Sequence, residues 1–404
     1  MKKTIIKCGW LFRGTDETVE KDMAVTVEGS RIVSVAPWKD EESGDAQVID
    51  LSDKFVTPGL IDAHVHVNMN GEPNTDSLAK LTPAEFTLLS MVNAQSDLMA
   101  GFTTVRDEGA VGFSDVALRN AINAGLVAGP RMFVSGVAIS STGGHGDSSF
   151  APGVTGGTMA SIVNSPDEAR KAARYTFKYG ADQIKIMATG GVMSFGDEPG
   201  APELSYEEMK AALDIANSRG RISSAHAHGA EGIKNAIRAG ITSIEHGMLI
   251  DDEGMEMMKE YGTYLIPTII AAYQIVEFGK TGALAPWMVE KAALCLENHG
   301  EHLKKMIDLG VNIGFGTDCG TCFNRHGEQA LEFELMTRCG FTPIQTLLAA
   351  TKVNARLLKW DDRIGSVEEG KLADIAAFDG NPLEDIKAMT RCAFVMKDGV
   401  VYRQ

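Results

Sequence analysis

Nowhere in its 404 residues does the chain carry an apolar run approaching the roughly 18–20 residues of a membrane-crossing helix, so no helical membrane span is expected. Positive charge is short as well: Lys and Arg number 38 against 54 Asp and Glu, a net charge of −16. Nucleic-acid binders concentrate Lys and Arg against the phosphate backbone, so no nucleic-acid partner is expected. Cysteine is sparse, with six residues at Cys8, Cys295, Cys319, Cys322, Cys339 and Cys392. This usage fits a reducing compartment rather than a disulfide framework, and the expected location is the cytoplasm. Cys319-Gly-Thr-Cys322 has CxxC spacing, but no second pair or thioredoxin-like context accompanies it, so neither a redox nor a zinc-ribbon role is expected. Internal repeats and low-complexity segments are missing too. In the opening MKKTIIKCGWLF, Lys7 interrupts the apolar stretch and no small-residue cleavage site follows. It reads as a first β-strand, not as a signal peptide.

What is present is the patterning of a large α/β protein. The hydrophobic fraction is 44% and the charged fraction 23%, ordinary for a globular enzyme. The length fits a large barrel plus a small appendage. Residues 4–12, 22–28 and 31–36 are β-rich, with turn signals at Gly14-Thr15-Asp16 and Glu28-Gly29-Ser30. Strand-like Val48-Ile49-Asp50-Leu51 follows, and Val56-Thr57-Pro58-Gly59 punctuates. From Leu60 short apolar runs alternate with amphipathic stretches. The runs are 60–67, 102–106, 131–138, 183–188, 222–227, 241–245, 263–269 and 312–317. Helical patterns cover 83–100, 114–124, 166–179, 205–219, 230–239, 251–261, 286–309, 328–339 and about 343–357. This alternation predicts a parallel (β/α)8 TIM barrel over residues 59–359. After Trp360 the β texture returns, at Ile375-Ala-Ala-Phe378 and 394–402. Residues 1–58 and 360–404 are expected to pair into one small β-sandwich beside the barrel.

Chemistry-bearing residues gather at the ends of the strand runs. His64-Val65-His66 closes the first run, and side chains two apart on a strand share a face. Both imidazoles then face the barrel mouth, where such barrels build their active sites, and imidazole suits Zn²⁺ and similar ions. Lys185 sits inside the apolar Gln183-Ile-Lys-Ile-Met187, where a charged ammonium is expensive to bury. It is either half of a buried ion pair or a neutral amine that has captured CO₂ as a carbamate, a carboxylate-like bridge between two cations. His226-Ala227-His228, His246 and Asp318 mark three further strand ends. Of the nine histidines, 64, 66, 145, 226, 228 and 246 lie at or just after strand ends.

With these residues in place, the sequence resembles the amidohydrolase superfamily. The matching stretches are Val56-Thr-Pro-Gly-Leu-Ile-Asp-Ala-His-Val-His66, Lys185, His226, Ser243-Ile-Glu-His246 and Gly316-Thr-Asp318. Closer texture resembles the imidazolonepropionase-related branch with its prolidase-like dipeptidases: Thr142-Gly-Gly-His-Gly-Asp147, Ala188-Thr-Gly-Gly-Val-Met-Ser194, His326-Gly327 and Gly365-Ser-Val-Glu-Glu-Gly-Lys-Leu-Ala-Asp374. The resemblance implies two divalent ions, Zn²⁺ by expectation. His64, His66 and Asp318 would hold the more buried ion, and His226 and His246 the more exposed one. N6-carboxylated Lys185 and a hydroxide would bridge them. Asp318 would shuttle the proton to the leaving amine, and His145 would stabilise the developing oxyanion.

The implied activity is hydrolysis of a small-molecule amide, in the narrowest form by a prolidase-like dipeptidase or an N-acyl amino acid hydrolase. A cyclic, aryl or acylated-toxin amide is the alternative. A catalytically inactive structural barrel is the remote one, since all six ligand positions are filled. His228, aimed into the same mouth as His226, is the candidate to meet a substrate carboxylate, although dipeptidases of the branch often carry Tyr there. Arg106 and Arg325 are candidates for a bidentate contact, with the alternative that Arg106 pairs with Asp107 or Glu108 at the rim. The Gly-rich loops 141–157 and 189–202 are long enough to cover a site. Cys319, beside Asp318, is expected to be a small packed residue. A homo-oligomer is expected.

Overall fold

The computed structural model describes residues 3–39, 46–73, 75–148 and 159–404. Within them, strands Leu60–Val65, Phe102–Asp107, Arg131–Val134, Ile184–Met187, Ser223–Gly229, Ser243–Leu249, Tyr264–Ile266 and Asn312–Ile313 form the barrel wall. Sequential strands pair in parallel from the first to the third and from the fourth to the eighth. Asp182 N–H donates to Val134 O at 2.7 Å where the third strand meets the fourth. Closure runs through Ala63 N–H to Phe315 O at 3.0 Å and Asp318 N–H to His64 O at 2.7 Å. Four of these eight strands are buried at every position, which is why they read as apolar runs rather than as alternating patterns.

The helices around the wall start and stop on local signals. Thr82 with Glu85, Ser205 with Glu208 and Thr342 with Gln345 form capping boxes. Gly240, at φ 94°, ends the helix Ala230–Ala239 in the left-handed conformation that only glycine adopts without strain. That helix buries Ile233, Ala236 and Ile237 against the wall.

Several boundaries differ from the sequence reading. The run 131–138 breaks after Val134, and a separate strand Ala138–Ser141 pairs with the fourth barrel strand and with an unforeseen strand, Ala160–Val163. The run 263–269 is a strand only at Tyr264–Ile266. Its end opens the helix Ile269–Gly279, whose sequence IIAAYQIVEFG has no wide polar face to mark it as helical. The span 286–309 is two helices, Pro286–Leu296 and His299–Leu309, and 343–357 carries one π-turn at Ala349–Val353.

The two β-rich ends meet as expected. Their strands form one sheet in the order 400–403, 392–397, 375–379, 47–58, 3–12, 19–28, 31–37. It encloses its own apolar core, including Ile6, Val25, Ile49, Val56, Ile375 and Phe394, as a small β-sandwich. No helix among the described residues is long and apolar enough to cross a membrane.

Candidate active site

His64, His66, His145, Lys185, His226, His228, His246 and Asp318 line one cavity of about 640 Å³ at the carboxyl ends of the barrel strands. Asp62 and His64 share a face of the first strand, and His66 follows one residue past its end. Asp62 ties the strand to the segment after the eighth strand by accepting from Thr317 Oγ1 at 2.6 Å and Thr317 N–H at 3.1 Å. Two of the polar side chains sit on left-handed backbone, His246 at φ 71° and Asp318 at φ 58°. Such conformations are costly for non-glycine residues and concentrate at functional sites. Strict alternation would set His246 opposite Glu245, and the turned backbone lets both reach the barrel interior.

The donor set suits divalent cations. Asp318 Oδ1 lies 3.3 Å from His64 Nε2 and 3.3 Å from His66 Nε2. Ligand atoms of His64, His246 and Asp318 fall within 4.8 Å of one another. In each of three imidazoles Nδ1 is occupied: His64 by Glu245 Oε2 at 2.8 Å, His66 by Gly109 O at 3.2 Å, His246 by Thr268 Oγ1 at 2.6 Å. His64 Nε2 is buried without a hydrogen-bond partner. Rings held through one nitrogen with the other left over are the arrangement of metal-binding histidines. His226 differs, with Nε2 3.1 Å from Gly190 O and its ring centroid 4.7 Å from that of His246. Burial, reinforced by neighbouring imidazoles and Lys185, holds His226 and His246 well below the usual imidazole range, in the neutral form that binds metal. Burial would raise Asp318, but the His64 and His66 rings outweigh it and keep the carboxyl well below its usual range.

Beneath these ligands runs a charged chain that motif reading missed. Lys185 Nζ is 3.3 Å from Glu108 Oε2. Glu108 Oε1 is 2.8 Å from Arg106 Nε, and Arg106 Nη2 donates to Glu245 Oε1 at 2.8 Å. Arg106 also donates to Ala63 O and Ser243 Oγ, and is wholly buried. The expectation that Arg106 meets a substrate carboxylate is therefore corrected: its guanidinium is committed below the floor of the site. Arg325 is corrected as well. It is exposed and packs near Gly71, away from the cavity lining.

His228 does line the cavity, with its ring stacked on His246 at 5.0 Å and its Nδ1 lacking a hydrogen-bond partner. Burial pushes it down to about 3, so it offers a carboxylate a hydrogen bond rather than a charge. His145 stacks on His226 at 4.1 Å, and its backbone N–H donates to Glu203 Oε2 at 2.8 Å. Of the expected loop covers, 189–202 supplies Val192, Met193 and Phe195 to the cavity wall, while residues 149–157 of the other lie outside the described residues. Cys319 is a packed residue, its Sγ 3.3 Å from His326 Nδ1, and burial pushes its thiol well up. Cys319 and Cys322 are both free thiols.

Over residues 55–402 the chain matches the Amidohydrolase family. It is 33% identical to the ochratoxinase of Aspergillus niger, across 96% of this chain and 83% of that protein. It is 23% identical to the imidazolonepropionase of Fusobacterium nucleatum, across 90% and 86% respectively. Among solved structures, a Xaa-Pro dipeptidase with bound methionine in the active site superposes with a TM-score of 0.93, at 37% identity and with both chains covered to 100%.

Proposed function

The chain belongs to the amidohydrolase family, in its imidazolonepropionase-related branch, and we propose that it is a dinuclear metal-dependent hydrolase of dipeptides or N-acyl amino acids that carry a bulky apolar group. The observation that carries this reading is the His, Lys and Asp set opening into a largely apolar cavity. Residues 59–359 carry the chemistry, and 1–58 with 360–404 form the flanking sheet domain. His64, His66 and Asp318 would hold one ion and His226 and His246 the other, with N6-carboxylated Lys185 as a further ligand. Two such ions, Zn²⁺ by the imidazole-rich donor set, lower the pKa of bound water and polarise a carbonyl.

Asp318 takes a proton at its carboxylate from the attacking water and delivers it to the leaving amine nitrogen as the C–N bond breaks. Phe86, Met187, Met193, Met248 and Ile275 are among the apolar residues of the wall, and unbranched thioethers adapt to irregular apolar groups. Similarity to a Xaa-Pro dipeptidase supports a dipeptide, and similarity to an ochratoxinase supports the alternative, a toxin amide. One observation favours the second reading, a neutral aryl or cyclic amide. Among the described residues lining the cavity, Lys185 is the one cation, and residues 149–158 contain neither Lys nor Arg. Six free cysteines support a cytoplasmic location, and exposed Leu88 and Val92, one turn apart on the helix Pro83–Met99, support a homo-oligomer.

The test is turnover by Zn²⁺-loaded protein of a panel of dipeptides, N-acyl amino acids and neutral aryl or cyclic amides. Turnover of acids with bulky apolar groups above their small polar counterparts supports the reading. Turnover confined to neutral amides moves the assignment to the second reading, and no amide turnover rejects both.

A further inference from the structure

The loop after the fourth barrel strand decides which nitrogen of His145 faces the cavity. His145 Nδ1 lies 2.7 Å from Ser194 Oγ, and Ser194 Oγ lies 2.6 Å from Asp197 Oδ2. A serine hydroxyl has a single proton, so only one of these contacts has the hydroxyl as donor. Asp197 is an acceptor on both oxygens. Gly191 N–H donates to Oδ2 at 2.9 Å and Lys291 Nζ donates to Oδ1 at 3.0 Å. The Ser194 proton therefore points to Asp197, and Ser194 Oγ is left to accept. The partner it accepts from is His145, which must carry its proton on Nδ1.

The loop is built to hold that arrangement. Lys291, on the helix Pro286–Leu296, also donates to Gly191 O at 3.2 Å and Ser194 O at 2.9 Å, pinning the loop on either side of the contact. Gly191 lies flat on the Nδ1 edge of the ring, where an added Cβ would stand 2.1 Å from Nδ1. Stacking on His226 fixes the plane of the imidazole.

We propose that Ser194 and Asp197, braced by Lys291, are positioning residues that fix His145 as the Nδ1–H tautomer. In the neutral ring Nε2 then presents a lone pair. His145 Nε2 accepts from an N–H donor of the substrate, its free amine or a secondary amide, and it does not donate to the oxyanion as the resemblance implies, because a donor at that edge needs the proton on Nε2. The choice of tautomer rests on the hydrogen bonds alone. What Nε2 meets rests on the amide-hydrolase reading.

The test is the ring ¹⁵N spectrum of holoenzyme labelled with ¹⁵N-histidine, with the His145 signals assigned by their loss in His145→Gln. We expect a protonated Nδ1 and a bare Nε2 in the wild type. Ser194→Ala, which removes the acceptor, should move the proton toward Nε2, and Ser194→Thr, which keeps the hydroxyl, should retain the wild-type pattern. On an amide substrate Ser194→Ala should lower kcat/KM by roughly tenfold, the scale of one hydrogen bond, with Ser194→Thr restoring most of the loss. A wild-type His145 protonated on Nε2 overturns the proposal whatever the substrate. An Nδ1–H ring in a protein that hydrolyses no amide upholds the tautomer and rejects the amide reading instead.

Discussion

Glu245 Oε2 stands 2.8 Å from His64 Nδ1, while its other oxygen accepts from Arg106 at 2.8 Å. Burial would raise this carboxyl, but Arg106 and then His64 outweigh it and hold it down at about 2. An ionised Glu245 fixes the His64 tautomer and leaves Nε2 for a cation. Carboxylates behind metal-binding histidines contribute about 10–100-fold in metal affinity. Glu245→Gln should therefore lose metal to a chelator at roughly 10–100-fold lower concentration than the wild type. Identical chelator titrations would remove Glu245 from the metal site.

Lys185 tests the bridge. Its ammonium form pairs with Glu108 across 3.3 Å, whereas its carbamate form would be a metal ligand. Protein grown with ¹³C-bicarbonate and loaded with Zn²⁺ should show one carbamate ¹³C signal that Lys185→Ala lacks. The variant should also retain less than the full metal content and most of its activity should be gone. A fully metallated, fully active Lys185→Ala would reject the carbamate.

Asp318 tests the proton shuttle. Asp318→Asn preserves the shape but removes the base, and a positioned acid–base group contributes roughly 10²–10⁴-fold to kcat. A loss of that size, counted per metal-loaded site, is expected, and an unchanged kcat would reassign the base.

The alternation of strand runs and helices was legible because barrel strands are short, apolar and buried on both faces. That His64, His66, Lys185, His226, His246 and Asp318 would share one cavity was legible because strand carboxyl ends collect at one mouth. Three features were not. The helix Ile269–Gly279 is apolar on nearly every face, so its period is lost beside the strand it follows. Glu245 was hidden because alternation sends it away from His246, and only the left-handed backbone at His246 brings both inward. Arg106 was misplaced because a cation late in a strand reads the same at the rim as under the floor. Its partners Ser243 and Glu245 come from a strand 137 and 139 residues further along the chain.

Glu332 gives a pH-dependent prediction away from the metals. Its oxygens accept from Ile269 N–H at 2.9 Å and Ile270 N–H at 2.7 Å, at the start of a helix whose N-cap, Thr268, supplies no side-chain hydrogen bond. Burial raises it to about 8 against these two N–H groups. The folded state then holds a proton that the unfolded chain releases near pH 4.5, so this group's contribution to stability is present below pH 4.5 and falls as pH rises toward 8. The slope is at most about 1.4 kcal/mol per pH unit. Urea unfolding at pH 5 and pH 8 should show the wild type losing stability relative to Glu332→Gln. A gap that does not change with pH would mean that Glu332 is ionised throughout.

His228 decides how a carboxylate is read. The cavity's one cationic side chain among the described residues is Lys185, and His228 is held neutral by burial. A free α-carboxylate therefore meets a hydrogen-bond donor without a full positive charge. One hydrogen bond to a charged group contributes about 1.5–3 kcal/mol, or roughly 10–150-fold in kcat/KM. Wild type should prefer a dipeptide over its C-terminal amide within that range, and His228→Ala should erase most of the preference. The preference should also change little with salt, because no long-range positive field on this acidic chain draws the substrate in. A preference of several thousandfold would require a cation that the described residues of the cavity wall do not supply. Equal kcat/KM for acid and amide would move the substrate to a neutral aryl or cyclic amide and leave the metal chemistry as it stands.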